Sequence, residues 1–417
     1  MASRVARRFF CVLAVAALAM SARADQVGDW RFSGFANIGV TRGDSATLGF
    51  RREISQDKAS FDGQWRADLD SSLGLQLNWR LSTRCDAAFQ LLIKLRREAD
   101  IDDYAEWAYL RCRAGDNHSF RVGRLGLDIF MLSDYRPVAY AYPWLRPPHD
   151  FYAFLALNHF DGVDYRYRRP WGDGQWQFSV FAGQSQTDNL PSGDDSFVIR
   201  AQPINGVQLA YDTEIWRVSL NHTTVEFDSG PPVAPLVAAA DGVALFGWLD
   251  AAVYARELVM KGSSVSYDAL GWRYDNNDWL AQVEWARLNG ERDILPRADH
   301  QYASLGRRFA AWTLTATVGR IRPREAPNLI EVPAFLPPLP ALQQLAQGLS
   351  AAMVSSRSEQ QSWSLGLRWD FAAKQALKLE YDHFRVEPYG AGLWQSDTPL
   401  TERESVNVVS LQWQRVF

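Results

Sequence analysis

"WSLGLRWDF" (Trp363–Phe371) places Trp363, Leu365, Leu367, Trp369 and Phe371 at alternate positions, with Ser364, Gly366, Arg368 and Asp370 between them. Successive side chains of a β-strand point to opposite faces, so as a strand this stretch has one apolar and one polar face. The pattern recurs along the chain. "LGLQLNWRL" (Leu73–Leu81) sets five large apolar residues against Gly74, Gln76, Asn78 and Arg80. "FQLLIKL" (Phe89–Leu95), "VDYRYR" (Val163–Arg168), "WQFSV" (Trp176–Val180), "WRVSLN" (Trp216–Asn221) and "WTLTATV" (Trp312–Val318) repeat it. It runs to the last residue: in "SLQWQRVF" (Ser410–Phe417), Leu411, Trp413 and Phe417 share a face with Val409, opposite Ser410, Gln412 and Gln414. Arg415 occupies an outward slot there, where its long stem can snorkel to water.

A soluble sandwich also alternates. Three features point instead to a transmembrane barrel. The polar face mixes Arg, Lys, Asp and Glu, as a wet interior allows. The apolar face often begins or ends in Trp or Tyr, as where a lipid-facing band meets headgroups. Tight turns such as "WGDG" (Trp171–Gly174), "DNND" (Asp275–Asp278) and "AAKQ" (Ala372–Gln375) alternate with long loops. Pairing up-strands with down-strands gives roughly sixteen, an even number as a closed single-chain barrel needs. They begin near residues 30, 69, 86, 104, 119, 160, 175, 206, 215, 264, 279, 301, 311, 361, 375 and 405. Hydrocarbon offers no partner to an open sheet edge, so the last strand must pair with the first. The fold class is therefore all-β: an antiparallel transmembrane barrel with short periplasmic turns and long external loops.

The 417 residues are 47% apolar and 22% charged, with 17 Trp, 15 Tyr and 22 Phe, which excludes disorder. Arg4, Arg7 and Arg8 precede the apolar Phe9–Met20, and Ala22-Arg23-Ala24 supplies a small-x-small cleavage site. Residues 1–24 are thus expected to be a cleaved signal peptide and 25–417 the barrel. Losing four arginines and no acid takes the formal charge from −4 to −8, which argues against nucleic-acid binding. Cys11 leaves with the signal, and Cys85 and Cys112 remain in an oxidising compartment where a disulfide between them is permitted.

"VGRLGLDIFMLSDYRPVAYAYPWLRPPHDFY" (Val122–Tyr152) is too long for an ordinary turn and rich in proline and aromatics. With the signal peptide, the strand count, "FRVGRLG" (Phe120–Gly126) and the terminal Phe417, the chain resembles the Gram-negative general porins. The resemblance implies that the loop at about 125–159 folds into the lumen as a constriction. It makes Asp128 and Asp134 the acidic side, with Arg136 departing from the family's acid-rich pattern, as does Arg146. Alternation places Lys94, Arg96, Arg121 and Arg166 on the lumen wall, where opposed charges across an aqueous gap tune selectivity. Tyr135, Tyr140, Tyr142 and Trp144 either contact solute or pack the loop against the wall. The resemblance also implies a homotrimer, with Glu98, Asp100, Asp102 and Asp103 of "READIDDY" (Arg97–Tyr104) as a latch, or simply a solvated hairpin tip. It makes Trp413 and Phe417 a C-terminal signal for the barrel-assembly machinery, and outer-membrane lipid and lipopolysaccharide the surroundings. Long external loops at about 227–263 and 324–360 carry helical-looking runs, "LVAAADGVALFGWLDAAVYARELVM" and "LPALQQLAQGLSAAMV".

His118, His149, His159, His222, His300 and His383 are scattered, with no metal-ligand spacing, and no G-x-S-x-G elbow is present. No metal, cofactor or covalent chemistry is implied. The reading is a passive outer-membrane channel for small hydrophilic solutes and ions. The alternatives are a channel preferring sugars or carboxylates and, from another class, an enzyme or adhesin that uses the barrel as its anchor.

Overall fold

The computed structural model describes residues 28–95, 101–155, 157–192 and 195–417. The expected signal peptide, Arg96, Glu98 and Asp100 lie outside the described residues, as does the side chain of Asp102. Seventeen paired segments form one antiparallel sheet, and one of them, Trp65–Arg66, is only two residues pairing with Thr41 and Arg42. The other sixteen are the wall: β1 (Trp30–Gly43), β2 (Ser72–Arg80), β3 (Cys85–Lys94), β4 (Ala105–Ala114), β5 (His118–Gly126), β6 (His159–Trp171), β7 (Gly174–Ser192), β8 (Asp195–Thr213), β9 (Trp216–Phe227), β10 (Ser263–Asp275), β11 (Trp279–Gly290), β12 (Arg297–Phe309), β13 (Trp312–Pro323), β14 (Ser358–Ala372), β15 (Gln375–Ala391) and β16 (Glu404–Val416). Each pairs with its sequence neighbours, and β1 also pairs with β16 from Phe35↔Val416 to Gly43↔Val408. Reciprocal Gly34–Phe417 backbone hydrogen bonds of 2.9 Å extend that seam to the last residue. The sheet is a closed barrel.

The expected strands are all present, with one large displacement. β8 starts at Asp195, not near 206, because the β7–β8 hairpin climbs well beyond its neighbours. Alternating "QPINGVQ" obscured this, since Pro203 lacks a ladder donor and argues against a strand.

The period-two pattern becomes two surfaces. Phe32, Phe89, Val122, Leu220, Leu314 and Leu365 are exposed on the outside, while Gln177, Gln208, Gln282, Glu284, Gln412 and Gln414 are buried inside. Trp30 stacks on Trp79 at 4.6 Å and Trp312 on Trp369 at 5.1 Å, next to the tight turns. Such rings suit the border between hydrocarbon and headgroups. Cys85 and Cys112 are opposite in register on β3 and β4 and are disulfide-bonded.

At the opposite, long-loop end the helices α3 (Ala234–Ala244), α4 (Leu249–Glu257) and α5 (Pro340–Val354) follow the short helices α1 (Ile101–Tyr104) and α2 (His149–Tyr152). They pack on one another through Ala240, Trp248, Ala255, Ala346, Leu349 and Met353. The helical-looking runs of the two long loops are thus one cap.

Candidate functional site: a segment bound inside the wall

The chain between β5 and β6, residues 127–158, is not a surface loop. It carries Phe130, Leu132, Trp144, Leu145, Phe151 and Tyr152 to nearly complete burial. Its polar groups bond to inward-facing side chains of β6, β8, β9, β11, β12, β14, β15 and β16.

At its start, Asp128 accepts from Arg166 on β6 at 3.1 Å and from Gln208 on β8 at 3.1 Å, while Asn221 on β9 donates to its carbonyl at 2.9 Å. Asp134 pairs with the same Arg166 at 3.3 Å, and Arg121 on β5 pairs with Asp164 beside it. Of the bases expected to face these acids across an aqueous gap, Arg166 is in direct contact with both, whereas Arg121 and Lys94 pair with Asp164 and Glu53 instead. On the far wall, the Met131 N–H donates to Glu284 on β11 at 3.0 Å. Glu284 also accepts from Tyr152 of the segment and from Tyr302 on β12. A methyl group at Gly271 on β10 would stand 2.5 Å from the Met131 sulfur, so the Met131 side chain packs directly on the wall there.

The middle of the segment is held by cations. Lys378 on β15, 1% exposed, donates from Nζ to the carbonyls of Ala139 (2.8 Å), Tyr142 (2.7 Å) and Trp144 (2.6 Å). Arg368 on β14 donates to the carbonyls of Tyr140 (2.8 Å) and Tyr142 (3.0 Å) and lies over the Tyr140 ring. The Leu145 N–H donates to Glu380 on β15 at 3.0 Å. Arg146 is then clamped between Asp70 and Asp382, both at 3.1 Å, with its guanidinium over Phe50. It also reaches Ser410 on β16. A charge this deep is tolerable only because it is paired on both sides.

At the end of the segment, Asp150 accepts from Gln360 at 2.9 Å and from Ser362, both on β14. A methyl at Gly319 on β13 would collide with its carboxylate at 2.3 Å. Burial pushes the Asp150 carboxyl up to about 6, although these hydrogen bonds pull the other way. Burial lowers the neighbouring His149 imidazole to about 3, aided by the charges of Arg146 and Arg51. The His149 ring sits neutral among Phe50, Phe384 and Trp394. Near Lys94, burial pushes the Glu53 carboxyl up, but Lys94, Arg136 and Arg52 together hold it well below the usual carboxylate range.

The remaining expected site residues are spread over this frame. Lys94 on β3 is ion-paired with Glu53, and Arg136 donates to Asn158 within the segment. Tyr142 and Trp144 are buried against the wall, Trp144 donating to Ser304 on β12 at 2.7 Å. Tyr135 and Tyr140 line a cavity of about 400 Å³ on the tight-turn side, together with Arg273, Arg308, Arg368 and Asp370. Trp413 and Phe417 are in the β16 seam, where Trp413 opposes Ile38 and Leu377. Asp70, Glu284, Lys378, Glu380 and Asp382 were missed. For the last three the signal was in the sequence: "LKLEYDHF" (Leu377–Phe384) puts Lys378, Glu380 and Asp382 on the polar face. Among the described residues no cluster of His, Cys, Asp and Glu has a geometry to hold a metal.

No protein-family model matches the sequence, and no curated protein is found similar to it. Solved structures do match. The anion-selective porin from Comamonas acidovorans superposes with a TM-score of 0.53 at 12% identity, over 94% of this chain and 100% of that one. The outer membrane channel DcaP of Acinetobacter baumannii gives 0.52 at 10%, over 95% and 99%. OmpF of Salmonella typhi gives 0.52 at 10%, over 93% and 98%. The chain has the porin fold. At such identities it shares the porin barrel's architecture, while the side chains that fasten the segment are read from this chain alone.

Proposed function

We propose that the protein is a selective channel of a Gram-negative outer membrane, with residues 127–158 as its constriction. The observation that supports this reading most is the ring of bonds from the segment to β6, β8, β9, β11, β12, β14, β15 and β16. A constriction fastened to these eight of the sixteen wall strands leaves narrow passages lined by paired charges. That favours a solute-preferring channel over a wide diffusion pore. The cavity on the tight-turn side of the segment, lined by tyrosine and arginine, forms an antechamber to the passage.

Reconstitution of the folded, heat-modifiable barrel into planar bilayers tests the reading. Discrete current steps in plain salt are expected, with block by solutes that fit an Arg/Tyr-lined passage. Folded protein that conducts no ions would overturn the channel reading and return the barrel to an anchoring role.

A further inference from the structure

On the long-loop side of the segment lies a second cavity of about 530 Å³, and it does not suit a water-filled pore mouth. Its floor is the segment itself, through Leu127, Ile129 and Phe154. Its sides are wall residues such as Val225 and Leu288, and its rim carries Met260 below the helical cap. Water gains nothing from such walls, whereas an apolar body transferred here is stabilised in proportion to the surface it buries. The volume falls in the usual range for small-molecule sites, which are mostly apolar with a few placed polar groups.

Two polar groups on this lining are under-used. Arg51, from the loop after β1, donates Nε to the Leu393 carbonyl (2.9 Å) and its two terminal nitrogens to the carbonyls of Gly392 (3.1 Å) and Ile54 (3.4 Å). A guanidinium has five N–H donors, so two remain. Arg51 forms no ion pair among the described residues, in contrast with Arg146 and Arg166, each of which has at least two carboxylates. Burial lowers it to about 10, with no neighbouring acid to oppose the effect. The second group is the buried Tyr267 hydroxyl, which finds no hydrogen-bond partner among the described residues. Arg51 is half-buried, but a cation facing an apolar lining without a counter-ion is still costly, and an anion that also fills apolar space relieves both defects.

We propose that this cavity binds an apolar monocarboxylate, its carboxylate on the free N–H groups of Arg51 and its hydrocarbon body among Leu127, Ile129, Phe154, Val225 and Leu288. Tyr267 offers a second polar point to any oxygen on that body. The site binds whether or not its occupant then crosses the barrel, so its test does not depend on conduction.

The barrel in nanodiscs is titrated with 2-naphthoate and with octanoate, subtracting empty nanodiscs, and with neutral 2-naphthamide as the uncharged match. Wild type is expected to bind both acids saturably and more tightly than the amide. Arg51→Gln should weaken the acids at least tenfold and leave the amide within twofold. Leu288→Trp, which fills the cavity, should abolish binding of all three while the barrel stays folded by heat modifiability. If Leu288→Trp does not fold, Val225→Trp serves the same purpose from the neighbouring wall. No saturable binding of either acid to wild type overturns the proposal. So does an Arg51→Gln barrel that binds 2-naphthoate as wild type does, or a folded, cavity-filled barrel that still binds it.

Discussion

The wall of the barrel and the segment inside it are held by different physics. The wall is a continuous ladder of backbone hydrogen bonds, in which each strand is fixed by two neighbours and any one side chain contributes little. The segment has almost no ladder. It hangs from individual side chains, chiefly Arg146, Lys378, Arg166 and Glu284, each buried and each with several partners. The wall should therefore tolerate point substitution, and the segment should not. Breaking a buried ion pair strands the remaining charges and costs about 3–5 kcal/mol, whereas trimming one outward apolar residue costs roughly 1 kcal/mol.

Arg146→Ala is the most damaging change expected, because it leaves Asp70 and Asp382 buried without their cation. Limited proteolysis of the folded barrel should then cut within residues 127–158, at sites protected in wild type, by a factor reflecting about 3–5 kcal/mol of lost anchoring. Arg166→Ala should be milder, about 1.5–3 kcal/mol, since Asp134 is half-exposed and can be hydrated while the buried Asp128 keeps its hydrogen bond from Gln208. Cleavage near the start of the segment should report it. Equal protection in these variants and wild type would erase the contrast between segment and wall.

Acidity sharpens the contrast through two adjacent groups of opposite sense. His149 is held at about 3 against an ordinary 6.5, so its anchoring contribution is complete above 6.5 and is lost as the pH falls. Asp150 is raised to about 6 from 3.8, so its penalty is full above 6 and gone below 3.8. Between pH 6 and 4 the two offset each other. Asp150→Asn removes the offset, and its segment should loosen on acidification more steeply than wild type, read as rising channel conductance from pH 7 to 4. An unchanged pH profile would show that His149 does not titrate against the segment's anchoring. Smallest of all, Val318→Ala on the outward face of β13 should cost roughly 1 kcal/mol of barrel stability and leave conductance at the wild-type value. A conductance change there would mean that wall and segment are not separable.

The same division explains what the sequence made legible. The wall is written in a period of two, so Trp363–Phe371 and its repeats disclose strand, face and even the seam at Phe417. Lys94, Arg121 and Arg166 were placed on the inner face by that rule alone. The segment has no period. That it matters was readable from its length and its Pro, Tyr and Trp content, but its partners come from strands up to 264 positions away, as Arg146 and Ser410 do. Nothing local encodes that Asp128 meets Arg166 directly rather than across water. The apolar cavity was hidden for the same reason, since its lining is assembled from loops and strand ends scattered from Arg51 to Leu393.

The central claim is that residues 127–158, fastened by buried charges, set the width of the passage. Single-channel conductance of the Arg146→Ala/Arg166→Ala barrel, recorded beside wild type in the same salt, tests it most directly. A released segment predicts open steps several-fold larger than wild type, with loss of solute block. Steps of unchanged size from a barrel whose segment proteolysis shows to be loose would contradict the account.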